Sequence, residues 1–161
     1  MERSIILILK PKWEKIENAR ITGDQFLTQA GVSAEKVQAM TMVISELIEN
    51  AIKYGCYSPS EDKIVAKIIV DENMITVEVL HPVEKGNYGH LKELDRAIQW
   101  IRGFQNPFEA YIEKVQEVSK KPLKDDESGL GLARIAYEGQ SILDFFLNED
   151  NQLSVSAVTA C

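Results

Sequence analysis

Apolar positions recur along the chain with two different periods, and each change of period marks a new element. Arg3 to Lys10 is a run rich in Ile and Leu that ends at Pro11, the pattern of a strand. From Trp13 to Ala30 the spacing becomes helical through Ile16, Ala19 or Arg20, Phe26 and Leu27, with Gly23 as a weak point. Gly31 is placed to end that helix, and Ser33 to cap a second one running from about Ala34 to Tyr54, where Gly55 stops it. Tyr57 to Asp62 reads as a loop. Two β-branched runs, Lys63 to Val70 and Met74 to Leu80, are joined by Asp71-Glu72-Asn73 and predict a hairpin. Beyond the bend at Gly86 to Gly89, two helices are expected over Leu91 to Gly103 and Pro107 to Ser119, the second capped by Asn106. Lys120 to Ser128 is charged and irregular, a loop. A helix over Gly129 to Glu138 and a hairpin of Ser141 to Asn148 with Gln152 to Thr159 close the chain.

The order β-α-α-β-β-α-α-α-β-β predicts an α+β fold, a two-layer sandwich. Its sheet is expected to be mixed or mostly antiparallel, with amphipathic helices on one face. The 161 residues are read as a single domain.

One helix carries more than a core stripe. Met40, Ile44, Leu47, Ile48 and Ala51 form its apolar face, whereas Glu46, Asn50 and Lys53 stand at i, i+4 and i+7 on a different face. A carboxylate and a carboxamide one turn apart, with a lysine behind them, can bind a hydrated metal and its anionic ligand. Ser128-Gly129-Leu130-Gly131-Leu132 then leads into a later helix with the glycines a phosphate turn uses. Each signal alone also fits something plainer, a solvent-facing stripe or an ordinary loop-to-helix junction. Their coincidence is what points to a site. His81 and His90 have no accompanying carboxylate pattern and read as surface or turn histidines. Trp100, Phe104, Phe108 and Tyr111 read as core or lid packing, or as an interaction face.

Composition narrows the classes. A 45% apolar and 27% charged chain is an ordinary globular one, and no run of about 18 apolar residues is present to span a membrane. The net charge of −7 disfavours a nucleic-acid partner. Cys56 and Cys161 have no metal-ligand spacing and fit free thiols in a reducing compartment. Ile5 to Leu9 is too short for a signal peptide, so the expected location is cytoplasmic.

Ser45-Glu46-x-x-Glu49-Asn50-Ala51-x-Lys53-Tyr54-Gly55 resembles the N box of the GHKL nucleotide-binding fold shared by gyrase, Hsp90, histidine kinases and MutL. Gly129-Leu130-Gly131-Leu132 is similar to the second glycine box of that fold, and the element order matches along nearly all the chain. The glutamate four residues before the asparagine, with Tyr-Gly after it, is most similar to bacterial anti-sigma-factor serine/threonine kinases. The SiaB-like kinases, which act on a small partner protein, fit equally well. The resemblance implies ATP and Mg²⁺ as cofactors, with Asn50 as metal ligand and Glu46 as general base. It places Lys53, Ser128, Gly129, Leu130, Gly131 and Leu132 around the nucleotide, under a helical lid at about 88–128. It implies a partner-switching kinase for a small regulatory protein or anti-sigma-type partner, and a homodimer.

The first glycine box of the family, Asp-x-Gly-x-Gly, is absent. Its aspartate, which accepts a hydrogen bond from the adenine amino group, falls on about Leu80 or His81, and Pro82 or Val83 replaces the first glycine. Proline has no N–H and a fixed φ, so the backbone here cannot copy the family turn. An alternative therefore stays open: a non-catalytic GHKL-fold module that binds a protein partner and has weak or no ATP binding.

Overall fold

In the computed structural model, residues 1–59, 62–120 and 129–161 are described. The strands are β1 (Arg3–Leu9), β2 (Ile64–Val70), β3 (Met74–Pro82), β4 (Ile142–Leu147) and β5 (Gln152–Ala160). The helices are α1 (Lys15–Gln29), α2 (Ala34–Tyr54), α3 (Gly89–Arg102), α4 (Pro107–Ser119) and α5 (Leu130–Tyr137). The strands form one sheet in the order β1-β2-β3-β5-β4, and every neighbouring pair is antiparallel. The fold is the expected α+β sandwich, with an antiparallel rather than a mixed sheet.

Side-chain alternation gives the sheet two different faces. Ile64, Ala66, Ile68 and Val70 of β2 and Ile75, Val77 and Val79 of β3 point inward and are buried with Leu143, Leu153 and Ala157. The other face holds Ile6, Ile8, Ile142 and Phe146, all more than half exposed. The helical layer covers only the first face.

α2 is the central helix of that layer. Its Ser33 cap accepts from the Lys36 N–H, and eight of its residues, among them Met40, Ile44, Leu47, Ile48 and Ala51, are buried. That stripe spends one side of the helix on the core and leaves the adjoining side, with Glu46 and Asn50, for other uses. α4 begins as the sequence indicates, with Asn106 accepting from the Glu109 N–H and Pro107 in the first turn.

Two expectations are corrected. Gly23 is not a weak point of α1: it is buried, and a Cβ there would lie 2.6 Å from Ile44 Cδ1 and 3.4 Å from Ile68 Cδ1. The missing side chain lets α1 lie close to α2 and the sheet. β3 also runs past Leu80 through His81 and Pro82, which pair with Leu153 and Gln152 of β5. Proline is tolerated because it ends the strand: its carbonyl accepts from the Cys56 N–H at 2.9 Å, and Val83 donates to the Asn151 carbonyl at 2.9 Å.

Gly23→Val should lower the unfolding free energy by about 1–3 kcal/mol through overpacking against Ile44 and Ile68. Urea denaturation followed by circular dichroism measures it; unchanged stability would mean that α1 can shift without cost.

Candidate functional site

The polar side of α2, the inward end of β3 and the starts of α3 and α5 enclose a cavity of about 420 Å³. It is lined by Glu46, Asn50 and Lys53 from α2 and by Gly129, Leu130, Gly131 and Leu132 from the second motif. The structure thus brings together every site residue expected from the sequence except Ser128, which lies outside the described residues. Lys121 to Glu127, expected as a charged loop and part of the lid, also lie outside them.

Gly129 precedes α5 with φ 67° and ψ 3°, the left-handed region that glycine enters without a Cβ clash. Gly131, the second residue of α5, faces α2 so closely that a Cβ built on it would run into the Glu46 carboxylate. The glycine pair therefore has two distinct jobs, setting the turn and admitting the carboxylate.

Glu46 is only 16% exposed through its side chain. Burial raises its carboxyl above the ordinary range and neighbouring Glu49 adds to the rise, while Arg134 and Lys53 pull it back down. Arg134 Nη1 donates to Glu46 Oε1 at 2.9 Å, and its Nε and Nη2 donate to Glu138 Oε2 at 3.2 and 3.1 Å. Arg134 thus clamps the carboxylate from one side while α5 itself braces the clamp.

α3 and α4 close the remaining walls. α4 brings Lys114, whose Nζ lies 4.7 Å from the Trp100 ring centroid and pairs with Glu117 at 2.9 Å. α3 brings His90 and Glu93. Trp100 meets Phe104 edge-on, and Phe108 and Tyr111 of α4 both pack on Tyr137 of α5. Phe108 and Tyr111 thus join α4 to α5, with Phe108 staying about half exposed, while Trp100 and Phe104 pack on each other at the end of α3.

The histidines are where the sequence misleads. His81 is 3% exposed and lines the cavity, and His90 lines it too, stacked on Tyr54 with ring centroids 3.8 Å apart and planes within 10°. Neither is a surface histidine. The strand register also separates the two candidates for the missing aspartate: Leu80 points to the open face of the sheet and His81 into the cavity. Arg134 and Lys114 are site residues that sequence reasoning missed. Arg134 had a weak signal, its place in the first full turn after the glycines with Glu138 four residues on; Lys114 had none.

A carboxamide oxygen on Asn50 is a hard ligand suited to Mg²⁺. Among the described residues no group of three or more His, Cys, Asp or Glu is arranged to hold a metal. That donor set fits an ion carried mainly by phosphate and water oxygens, which Mg²⁺ prefers, and does not fit a dedicated protein cage.

A half-buried carboxylate, a carboxamide one turn along α2, a glycine-lined helix start and three cations thus line one cavity of an α/β sandwich. The chain belongs to the histidine kinase-like ATPase domain family, whose pattern matches residues 9–137. Its fold is also similar to a chain in the crystal structure of the SiaB–SiaC complex from Pseudomonas aeruginosa. The TM-score is 0.69 at 18% identity, covering 98% of this chain and 89% of that one. No curated protein matches the sequence. Among the described residues no helix is long and apolar enough to cross a membrane.

The raised Glu46 pKa makes a pH prediction. A native state that binds this proton more tightly than the unfolded chain is stabilised below the ordinary carboxylate range and loses that increment as pH rises through the raised value. Glu46→Gln removes the titration. Its stability relative to wild type should therefore improve from pH 4 to pH 7, read from urea midpoints at both values. A pH-independent difference would show that Arg134 cancels the effect of burial.

Proposed function

We propose that this chain is an ATP-binding serine/threonine protein kinase of the partner-switching type, which phosphorylates a small regulatory protein. The observation that carries the proposal is the pairing of a half-buried carboxylate, Glu46, with the Gly129–Gly131 turn across one cavity, Asn50 lying one helical turn away. Membership of an ATPase-domain family supports nucleotide as the ligand. The likeness to a chain of a two-protein complex supports a protein as acceptor.

In this reading residues 1–161 act as one unit, and the α3–α4 segment is the lid, contributing His90, Glu93 and Lys114 to the cavity. Mg²⁺, when bound, would neutralise charge on the phosphate oxygens, and Asn50 is the residue that would hold it. Gly129 and Gly131 let the α5 backbone approach the phosphates, where the helix start favours negative charge. Lys53, Lys114 and Arg134 supply further positive charge. The acceptor hydroxyl oxygen bonds to the γ-phosphorus as the bond to the ADP oxygen breaks, and Glu46 takes the hydroxyl proton. A carboxylate with a raised pKa is a stronger base than an exposed one. Arg134 holds it oriented and ionised.

A second reading, a non-catalytic module that binds a protein partner, is favoured by one observation. β3 continues as a paired strand through Pro82, where a glycine turn would otherwise open the backbone.

Calorimetric titration separates the two. The kinase reading expects micromolar binding of ATP with Mg²⁺, and no heat at millimolar nucleotide would remove it. Asn50→Ala should abolish the Mg²⁺-dependent part of binding and, with it, transfer to the partner; normal transfer would sink its assigned role. Glu46→Gln should leave the ATP dissociation constant within a few-fold while slowing phosphoryl transfer by about 10²-fold or more, measured in single turnovers.

A further inference from the structure

No helix among the described residues covers the outward face of the sheet, and on it Ile142 and Phe146 are 67% and 56% exposed. Strand register orders this face into three rows across β2, β3, β5 and β4. Val65, Leu80, Ser154 and Phe146 make one outer row, and Ile69, Thr76, Val158 and Ile142 make the other. Between them run Lys67, Glu78, Ser156 and Asp144. A charged row thus divides two mainly apolar ones, with a cation at one end and a carboxylate at the other. The Asp144 Oδ1 accepts from the Phe145 N–H at 2.9 Å, which holds that carboxylate against its own strand.

A contiguous apolar patch with few polar groups marks an interaction surface, and here the charges decide what fits it. Lys67 and Asp144 share a row and stand on opposite sides of the β3–β5 pair. A second copy, turned about a two-fold axis along the strands between β3 and β5, lays β2 over β4 and β3 over β5. Row then falls on row. Lys67 meets Asp144 of the second copy, and symmetry repeats the contact. Val65 meets Phe146 of the second copy, and Ile69 meets its Ile142. Sheets packed face to face stand about 10 Å apart, a gap that a lysine and an aspartate together bridge. Other placements fail on charge. An axis across the strands, centred on the charged row, sets Lys67 on Lys67 and Asp144 on Asp144, and like charges disfavour association. An axis along β3 sets Asp144 on the apolar Ile6 of β1.

We infer that two copies of this chain pack through their open sheet faces about an axis between β3 and β5, Lys67 of each pairing with Asp144 of the other. The two sheets lie inside this assembly and the two helical layers outside. Each cavity, on the helical side of its sheet, stays open on an outer side. The inference fixes a surface and an axis, and it does not use the nucleotide-binding reading, so either can fail alone.

Sedimentation equilibrium from about 1 to about 100 µM tests this, and the wild-type protein should pass from monomer to dimer within that range. Lys67→Asp and Asp144→Lys should each raise the dimer dissociation constant at least about tenfold, because each sets like charges together at both contacts. The double variant Lys67→Asp/Asp144→Lys reverses the pair and should return to within a few-fold of wild type. A wild-type monomer throughout overturns the inference and leaves the face to a different protein. A dimer that neither single variant weakens also overturns it, since another surface then joins the copies. A double variant no tighter than the single ones defeats the pairing and its axis. Should a variant fail to fold, methyl resonances of the wild-type protein decide. Those of Ile69 and Ile142 should shift on dilution while that of Ile21, exposed on α1, stays in place; shifts that spare Ile69 and Ile142 overturn the assignment.

Discussion

The site depends on how closely α5 approaches α2, and that distance is set at residue 131. α2 is fixed on the sheet by its buried stripe from Met40 to Ala51. α5 must then come to it, and with any side chain at Gly131 the Glu46 carboxylate would lose its place. Because no side chain is there, Arg134 one turn later can reach Glu46 at 2.9 Å. The same approach puts the start of α5 opposite Asn50. Removal of one carbon thus couples the helix that supplies the carboxylate to the helix start that faces it.

Charge around the cavity follows local placement more than total composition. A chain of net charge −7 would repel a polyphosphate at long range. The cavity wall instead sets Lys53, Lys114 and Arg134 among Glu46, Glu49 and Glu93. Lys114 and Arg134 are each already paired with a carboxylate at 2.9 to 3.1 Å, through Glu117, Glu46 and Glu138. Such pairs hold the cations in position, at the cost that an incoming anion must compete for them. Partly exposed pairs of this kind are individually weak, so a phosphate with several charges can draw the cations across without large loss.

Element positions were legible in the sequence because burial here follows simple periods. α2 and α4 match their expected limits, since a Ser or Asn cap and a following Gly or Pro signal left little freedom at their ends. The Glu46–Asn50–Lys53 stripe and the Gly129–Gly131 turn were legible as well, because each is a local pattern. The part not legible depended on contacts remote in sequence or on strand phase. Arg134 meets Glu46 across 88 residues. His81 was misread because a following proline suggests a turn, whereas β5 supplies a partner for the strand through Pro82 and makes the missing N–H harmless. Once β3 is extended by two residues, alternation alone sends His81 inward and Leu80 outward.

That extension also changes what the departure from the family pattern means. A glycine turn would leave backbone free to bend around a ligand, and a strand paired on both sides of residue 80 does not bend. What the strand offers in exchange is a fixed side-chain direction. A residue at the inward position of a paired strand, its ring held by its own backbone neighbour, is placed more rigidly than one on a turn. The wall at this end of the cavity is therefore made of side chains already in position, His81 and the Tyr54–His90 pair. The other end is built differently, with two glycines at the start of α5. The cavity thus joins a rigid side-chain wall to a bare backbone wall, and α2, which lines both, sets the distance between them.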